Sequence, residues 1–292
     1  MDHRTATFQS HRPRLLGIAY RMLGSTAEAE DVLQDAWLRW NESDTDSLRS
    51  VEAWLVTIVT RLSIDRLRAL RAERDRYPGF WLPEPVVEAA DAHTPHSLLE
   101  RADDVSVALL RVLEQLGPDE RAAFVLRQAF DMDYAEIAQA LGKSEAACRQ
   151  LVHRASERVQ AERPRFAVSG DAHWRVVEAF ARAAQGGDLV AMRGLLAEDA
   201  QLVSDGGGKV RSFDFVMHGA QRLAQLYYAV SRRHGASLHY RLVRVNGQPG
   251  LARYVGNQLE SVQSFEFEGE RIRAIQTQRN PDKLARVLVT RP

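Results

Sequence analysis

One cysteine, Cys148, stands in a chain of 292 residues. A lone thiol closes no internal disulfide and builds no thiolate metal site. Its apolar neighbours read it as a small buried side chain, with a redox sensor as the minor reading. Long hydrophobic runs are missing too. No segment approaches the roughly 18 apolar residues of a membrane span, and the first residues, Met1-Asp-His-Arg4, lack an apolar signal core. The expectation is a cytoplasmic protein. Net charge is also absent, since 39 basic residues meet 39 acidic ones. That balance speaks against nucleic acid at first sight, but the charges are segregated. Arginines gather at 61–76 and 149–165, while acids gather at Glu28–Asp35 and Glu42–Asp46. A neutral total can therefore hide a basic groove and an acidic docking face.

What is present is helical at first. Leu15, Leu16, Ala19, Tyr20 and Leu23 form one apolar stripe, ended by Gly24. Ser25 or Thr26 can cap the next helix, which carries acids in its first turns and Val32, Leu33, Ala36, Trp37 and Trp40 further on. A polar loop, Asn41–Ser50, leads to a third helix from about Val51 to Arg76. Residues 78–97 hold Pro78, Pro83, Pro85 and Pro95 and read as a linker with one apolar knot, Phe80-Trp-Leu82. Helices resume from about Leu98 to Arg163. Beyond Ala172, two helical stretches (His173–Ala184, Leu189–Leu196) and a third (Gly219–Arg233) precede alternating segments at Ser237–Val245, Leu251–Val255, Gln258–Phe267 and Arg271–Gln278. Helices followed by such a meander predict an α+β domain with a curved antiparallel sheet.

The segment Tyr134–Ala155 reads as a helix-turn-helix. Ile137, Ala138 and Leu141 stripe a first helix, Gly142 supplies the turn, Ser144 caps the second helix, and Ala147, Cys148 and Leu151 face back. The opposite face carries Arg149, Gln150, His153, Arg154 and Arg158, with Lys143 and Ser144 at its start. These are the forked donors and amides that suit guanine, adenine and phosphate. An ordinary helical hairpin with a solvated basic face is the bland alternative.

Three segments in order carry a more specific signal: Ala29-Glu-Asp-Val-Leu-Gln-Asp-Ala-Trp-Leu-Arg-Trp40, then Ala53–Arg68, then the helix-turn-helix. Together, over about residues 8–163, they closely resemble bacterial RNA polymerase sigma factors of the extracytoplasmic-function type. The resemblance implies two all-α domains, sigma region 2 at 1–77 and sigma region 4 at 98–165. It implies docking on core RNA polymerase (β′ clamp helices and β flap) and recognition of the −10 and −35 elements of promoter DNA. It places Asp31, Gln34, Asp35, Leu38 and Trp40 on the docking helix; Trp37 aligns with Leu33 and reads as core. It places Arg61, Arg66, Arg68 and Arg71 on the helix that reads the −10 element. Many family members have asparagine at the position of Arg61, so the chain departs there. Asp65 is expected to pair with an arginine, and Asn41–Ser50 matches the loop that captures a flipped base.

Residues 172–292 resemble the SnoaL-like domain, a cone-shaped α+β fold that some sigma factors carry in place of a separate anti-sigma protein. Three motifs resemble that subgroup: Trp81-Leu82-Pro83-Glu84-Pro85 in the linker, Asp205-Gly206-Gly207-Gly208-Lys209, and Asn280-Pro281-Asp282-Lys283-Leu284. The glycine run is no P-loop, because Val203 and Val210 stand where glycine and Ser/Thr are needed. It reads instead as a tight turn docking on the linker, and the three motifs together as a regulatory contact. Relatives of the fold include isomerases and cyclases. The candidate bases here, Asp214, His218 and His239, show no pairing in the sequence, and fold alone implies no catalysis. His93-x-x-His96 lacks further ligands, so no metal and no cofactor is expected. Two readings follow: a sigma factor modulated by its own C-terminal domain, or a SnoaL-like small-molecule enzyme or ligand sensor tethered to a DNA-binding module. Either leaves room for a small-molecule ligand in the C-terminal cavity.

Overall fold

The computed structural model describes residues 3–43, 48, 50–90, 105–162 and 170–287. They fall into two compact units. The first takes the described residues of 1–75, 94–105 and 109–163; the second takes those of 76–93, 106–108 and 164–292. The stretch 78–90, read as a linker in the sequence, thus groups with the C-terminal residues.

The first unit is all helix: α1 (His3–Leu23), α2 (Thr26–Glu42), α3 (Val51–Arg74), most of α4 (Val107–Glu114), α5 (Pro118–Phe130), α6 (Tyr134–Leu141) and α7 (Glu145–Glu162). The break at Gly24 and the cap at Ser25 are those the sequence predicts; two further caps come from the structure. Gly24 takes φ 67°, and the Ser25 hydroxyl accepts from the Glu28 N–H. Ser50 accepts from the Ala53 N–H to start α3. Asp133 and Glu136 form a reciprocal capping box at the start of α6. A buried ionic network ties four helices together. Arg121, 1% exposed, donates to the Arg21 carbonyl at the end of α1 and to Glu114 on α4. Arg74 on α3 reaches the same Glu114 and donates to the Leu23 carbonyl. Two arginines therefore satisfy the orphan carbonyls that close α1.

The second unit joins α8 (Gly170–Gly186), α9 (Leu189–Leu195) and α10 (Ala220–His234) to a seven-stranded sheet. Its strands are β1 (Val87–Ala89), β2 (Leu196–Asp205), β3 (Met217–His218), β4 (Leu238–Val245), β5 (Gln248–Val255), β6 (Gln258–Glu268) and β7 (Arg271–Gln278), in the order β1-β4-β5-β6-β7-β2-β3. The meander β4–β7 is antiparallel as expected. Asn246-Gly247, both at positive φ, turns β4 into β5 in two residues. Three strands go beyond the sequence reading: β1 within the linker, the short β3, and β2, which pairs parallel with β7. One sheet face packs Leu202, Leu251, Phe265 and Ile275 against Val177, Phe180, Leu223 and Tyr227 of the helices. The other face carries Val243, Val245, Ala252, Tyr254 and Val262. Among the described residues no helix is long and apolar enough to cross a membrane.

Candidate polymerase, promoter and linker sites

On α2 the side chains split by face. Val32, Leu33, Ala36 and Trp40 are buried, while Asp31, Gln34, Asp35 and Leu38 are exposed, Leu38 at 52%. Trp40 departs from the expected docking set. It is 2% exposed, its indole N–H donates to the Arg4 carbonyl, and its ring packs against Trp54. Trp37, read as core, is half-buried with its ring edge-on to Phe8. Ala36 and Trp40 are four residues apart and share the buried face, so Trp40 is core and the outward face is acidic with one large apolar side chain. Half of the loop Asn41–Ser50, which was expected to capture a flipped base, lies outside the described residues, at 44–47 and 49.

The helix-turn-helix forms as predicted. Gly142 closes α6 at φ 63°, the Ser144 hydroxyl accepts from the Ala147 N–H, and Ile137, Ala140, Cys148, Leu151, Val152 and Ala155 are buried. Cys148 is fully buried, and that burial pushes its thiol above the ordinary range. This placement fits the small buried side chain and gives no support to the minor reading of Cys148 as a redox sensor. The outward face of α7 presents Arg149, Gln150, His153, Arg154 and Arg158. Most of these cations are held by acids of the same unit. Arg154 and Arg158 both reach Glu120 (3.3 and 3.0 Å), Lys143 reaches Asp119 at 2.9 Å, Arg149 pairs with Glu145 and lies over the Tyr134 ring, and His153 sits 3.4 Å from Glu157. Asp119 and Glu120 occupy the first turn of α5, where the helix dipole favours anions.

The arginines of α3 are engaged as well. Arg66 forks onto Glu28, whose hydrogen bond holds the guanidinium above its ordinary pKa. Arg68 reaches Asp65, as expected, and Asp119. Arg61 was expected on phosphate. In this conformation it donates instead to the carbonyls of Ala140 and Gln139 and so closes the C-terminal end of α6. Arg71 is exposed, with no ion pair among the described residues.

The linker grip is built around Asp205, which is fully buried at the end of β2. Its carboxylate accepts from the Tyr77 hydroxyl (2.7 Å), the Leu82 N–H (2.9 Å), the Gly207 N–H (2.9 Å) and the Lys283 ammonium (2.7 Å). Lys283 also donates to the Leu82 carbonyl and stands over the rings of Trp81 and Tyr77. Burial, then the hydrogen bond to Asp205, drives the Tyr77 phenol far above its usual range, so it stays a donor. Gln278 donates to the carbonyls of Leu82 and Pro83, and Asn280 donates to the Tyr77 oxygen. Asn280 and Pro281 are the cap and first residue of a short helix, α11 (Pro281–Leu284), which aims Lys283 at the grip and buries Leu284. Lys209 pairs with Asp282. Leu82, Pro83, Glu84 and Pro85 are buried, and the chain continues into β1 on the edge of β4. The three motifs therefore meet in space. Tyr77 and Gln278, two central members, stood outside the motifs.

The glycines of the turn are needed where they stand. Gly207 sits at φ +60° and a Cβ there would come within 2.3 Å of Asn280 Nδ2; at Gly206 it would come within 2.3 Å of the Val210 carbonyl and at Gly208 within 2.6 Å of Pro78. Gly79 has a similar φ of +78° but open space around it. Gly207→Ala should therefore unfold the second unit at lower urea than Gly79→Ala, by about 1 kcal/mol or more beyond the shared backbone strain. Equal midpoints for the two variants would show that the turn is loosely held.

A cavity of about 470 Å³ opens between β2, β7 and α10, lined by Phe213, Leu226, Val230, Arg253, Glu260 and Arg279 among others. Asp214 lines it, but His218 and His239 do not, so the candidate bases are not brought together. Glu260 is the extra residue of a β-bulge opposite Arg253 and Tyr254. Burial would raise its pKa, but Arg253 and Arg279 prevail and hold it below the ordinary carboxylate value. Among the described residues no cluster of His, Cys, Asp and Glu could hold a metal; His93 and His96 lie outside them.

Residues 7–73 match the Sigma-70 region 2 family and residues 106–159 match Sigma-70, region 4. The chain is 39% identical over 273 residues to the ECF RNA polymerase sigma factor SigJ of Mycobacterium tuberculosis, covering 92% of this chain and 86% of that protein. It is 30% identical over 291 residues to the probable ECF RNA polymerase sigma factor SigI of the same species, covering 97% and 95%. Its fold superposes on the crystal structure of the M. tuberculosis extracytoplasmic function sigma factor SigJ with a TM-score of 0.78 at 34% identity, over 96% of this chain and 98% of that one.

Proposed function

Because the chain belongs to the extracytoplasmic-function sigma factors of RNA polymerase, we propose that its first unit docks on the β′ clamp helices through Asp31, Gln34, Asp35 and Leu38. In the same reading α3 meets the −10 element, while α7 meets the −35 element with region 4 against the β flap. The C-terminal cone acts as a resident regulator, not as an enzyme. The observation that carries the regulatory part is the grip on the linker. The segment 77–89, which joins the two sigma regions, is held by Asp205, Gln278, Asn280 and Lys283 of the cone. Whatever alters that grip alters the tether that sets the spacing of regions 2 and 4.

The acids on the recognition face refine the DNA reading. Glu120 and Asp119 must yield their arginine and lysine partners when phosphate arrives, so binding is an exchange of one anion for another. Arg154→Ala is expected to flatten the salt dependence of promoter binding by about one unit of slope, because a phosphate contact releases counterions. Gln150→Ala is expected to relax base preference at one position, at a cost of roughly 1–3 kcal/mol. Fluorescence anisotropy of the holoenzyme on promoter fragments across a salt series reads both, and unchanged slope and preference would remove α7 from the contact.

The whole reading is tested by transcription in vitro with purified core polymerase, comparing the full chain with one lacking residues 172–292. Promoter-specific run-off product from the full chain is expected, and its amount or promoter range is expected to change when the cone is removed. No specific product from either chain would refute the sigma assignment. Identical output at every promoter and salt concentration would refute the regulatory one.

A further inference from the structure

The cone cavity pairs an apolar wall with a charged floor. Leu202, Phe213, Leu226, Val230 and Val255 supply the wall. The floor is a trio: Glu260 bridges Arg253, itself 8% exposed, and Arg279. Two guanidinium groups against one carboxylate leave the trio one positive charge over, and Arg211, Arg233 and His234 stand on the same lining against the single Asp214. Among the described residues the Nε–H of Arg279, which is fully enclosed, has no hydrogen-bond partner. An unsatisfied, charge-assisted donor beside an uncompensated cation is costly in a partly dry site. A cavity of about 470 Å³ with an apolar wall and a few converging polar groups is the usual form of a small-ligand site.

Two of the strands that line this cavity, β2 and β7, also hold the linker. In the parallel pair of β2 and β7, Ser204 lies opposite Thr277 and Asp205 opposite Gln278. Side chains alternate across a sheet. Ser204, Thr277 and Arg279 line the cavity, and their immediate neighbours Asp205, Gln278 and Asn280 bind Tyr77, Leu82 and Pro83 on the other side. The Arg279 backbone N–H donates to the Asp205 carbonyl, so the two halves share a hydrogen bond.

We propose that the cone cavity is an effector site for a small amphipathic carboxylate, whose anion meets Arg279 and whose apolar part lies against Leu226 and Val230, and that its occupancy is passed through β2 and β7 to the linker grip. This rests on the proposed regulatory role of the cone. A monoanion fits the single surplus charge of the trio, and Arg279 stands on the cavity lining, where an anion can meet it while the Glu260 bridge stays in place. A neutral ligand of the same shape would leave that surplus charge uncompensated.

The test uses the full chain without polymerase, so its failure is separate from any failure in transcription. Octanoate is titrated by isothermal calorimetry against 1-octanol as the uncharged probe of equal length, with amide hydrogen exchange at Leu82 followed in parallel. The expected result is one-to-one binding of octanoate at least tenfold tighter than of octanol, with a change in Leu82 exchange on saturation. Arg279→Gln should weaken octanoate at least tenfold and leave octanol within twofold. Val230→Trp, which fills the cavity and spares the charges, should remove binding of both. Circular dichroism confirms that each variant is folded; if Arg279→Gln is not, Val230→Trp and the octanol comparison decide. Equal affinity for the two probes, no octanoate binding at 10 mM, or binding that survives Val230→Trp overturns the site. Tight octanoate binding without any change at Leu82 overturns the coupling to the linker.

Discussion

Asp35→Arg combined with Leu38→Glu is expected to abolish assembly with core RNA polymerase while leaving the first unit folded. Both side chains point outward from α2, and Leu38 is 52% exposed, so neither change disturbs the buried stripe of Val32, Leu33, Ala36 and Trp40. A half-exposed leucine flanked by Asp31, Gln34 and Asp35 is a plain interface composition, an apolar anchor within a charged rim. Reversing the charge and burying a carboxylate in place of the anchor should cost several kcal/mol, about a thousandfold or more in affinity. A pull-down with core polymerase, alongside a native circular dichroism spectrum, checks it. Retained binding would move the docking face elsewhere. Trp40→Ala should behave differently: it removes a buried ring that packs on Trp54, so loss of binding should come together with a loss of stability of roughly 3–5 kcal/mol.

Asp205→Ala is expected to have the largest effect on the second unit. The substitution leaves the Lys283 ammonium enclosed without its carboxylate, and it orphans the Leu82 N–H and the Tyr77 hydroxyl in the same step. Breaking a buried pair on one side costs about 3–5 kcal/mol, because an uncompensated charge remains. Removing both charges, with Asp205→Ala and Lys283→Met together, should recover part of that loss. Urea unfolding of the second unit reads the stability, and limited proteolysis between residues 76 and 90 reads release of the linker. A midpoint unchanged from the parent, with the linker still protected, would mean that the grip contributes little.

The sequence carried the helical half in unusual detail because its signals are local. Caps at Ser25 and Ser144 and the breaks at Gly24 and Gly142 each act within four residues. The linker motif and its two partners in the C-terminal domain were visible as resemblances, and their meeting in space follows from Asp205 and Lys283, which sit inside the latter two. What was hidden depends on partners far along the chain. Arg61 looks like a phosphate contact until Ala140 is placed beside it, 79 residues on. Tyr77 has no motif of its own and matters through Asp205, 128 residues away. β2 was missed because Leu196-Ala-Glu-Asp-Ala starts without alternation, and its parallel partner β7 is the last strand of the meander. The trio of Arg253, Glu260 and Arg279 comes from three places on the sheet and depends on a bulge that no spacing announces.

The burial of Cys148 gives the molecule an internal clock. The thiol sits in the seam of the helix-turn-helix, fully enclosed, and its raised pKa keeps the thiolate scarce. As the chain's single sulfhydryl it has no competitor for an added disulfide reagent. Modification can proceed only when α6 and α7 part, so the labelling rate under native conditions measures how often the DNA-reading element opens. Promoter DNA that grips α7 must slow that rate in proportion to the time it stays bound, which turns one buried sulfur into a reporter of recognition that needs no engineered label.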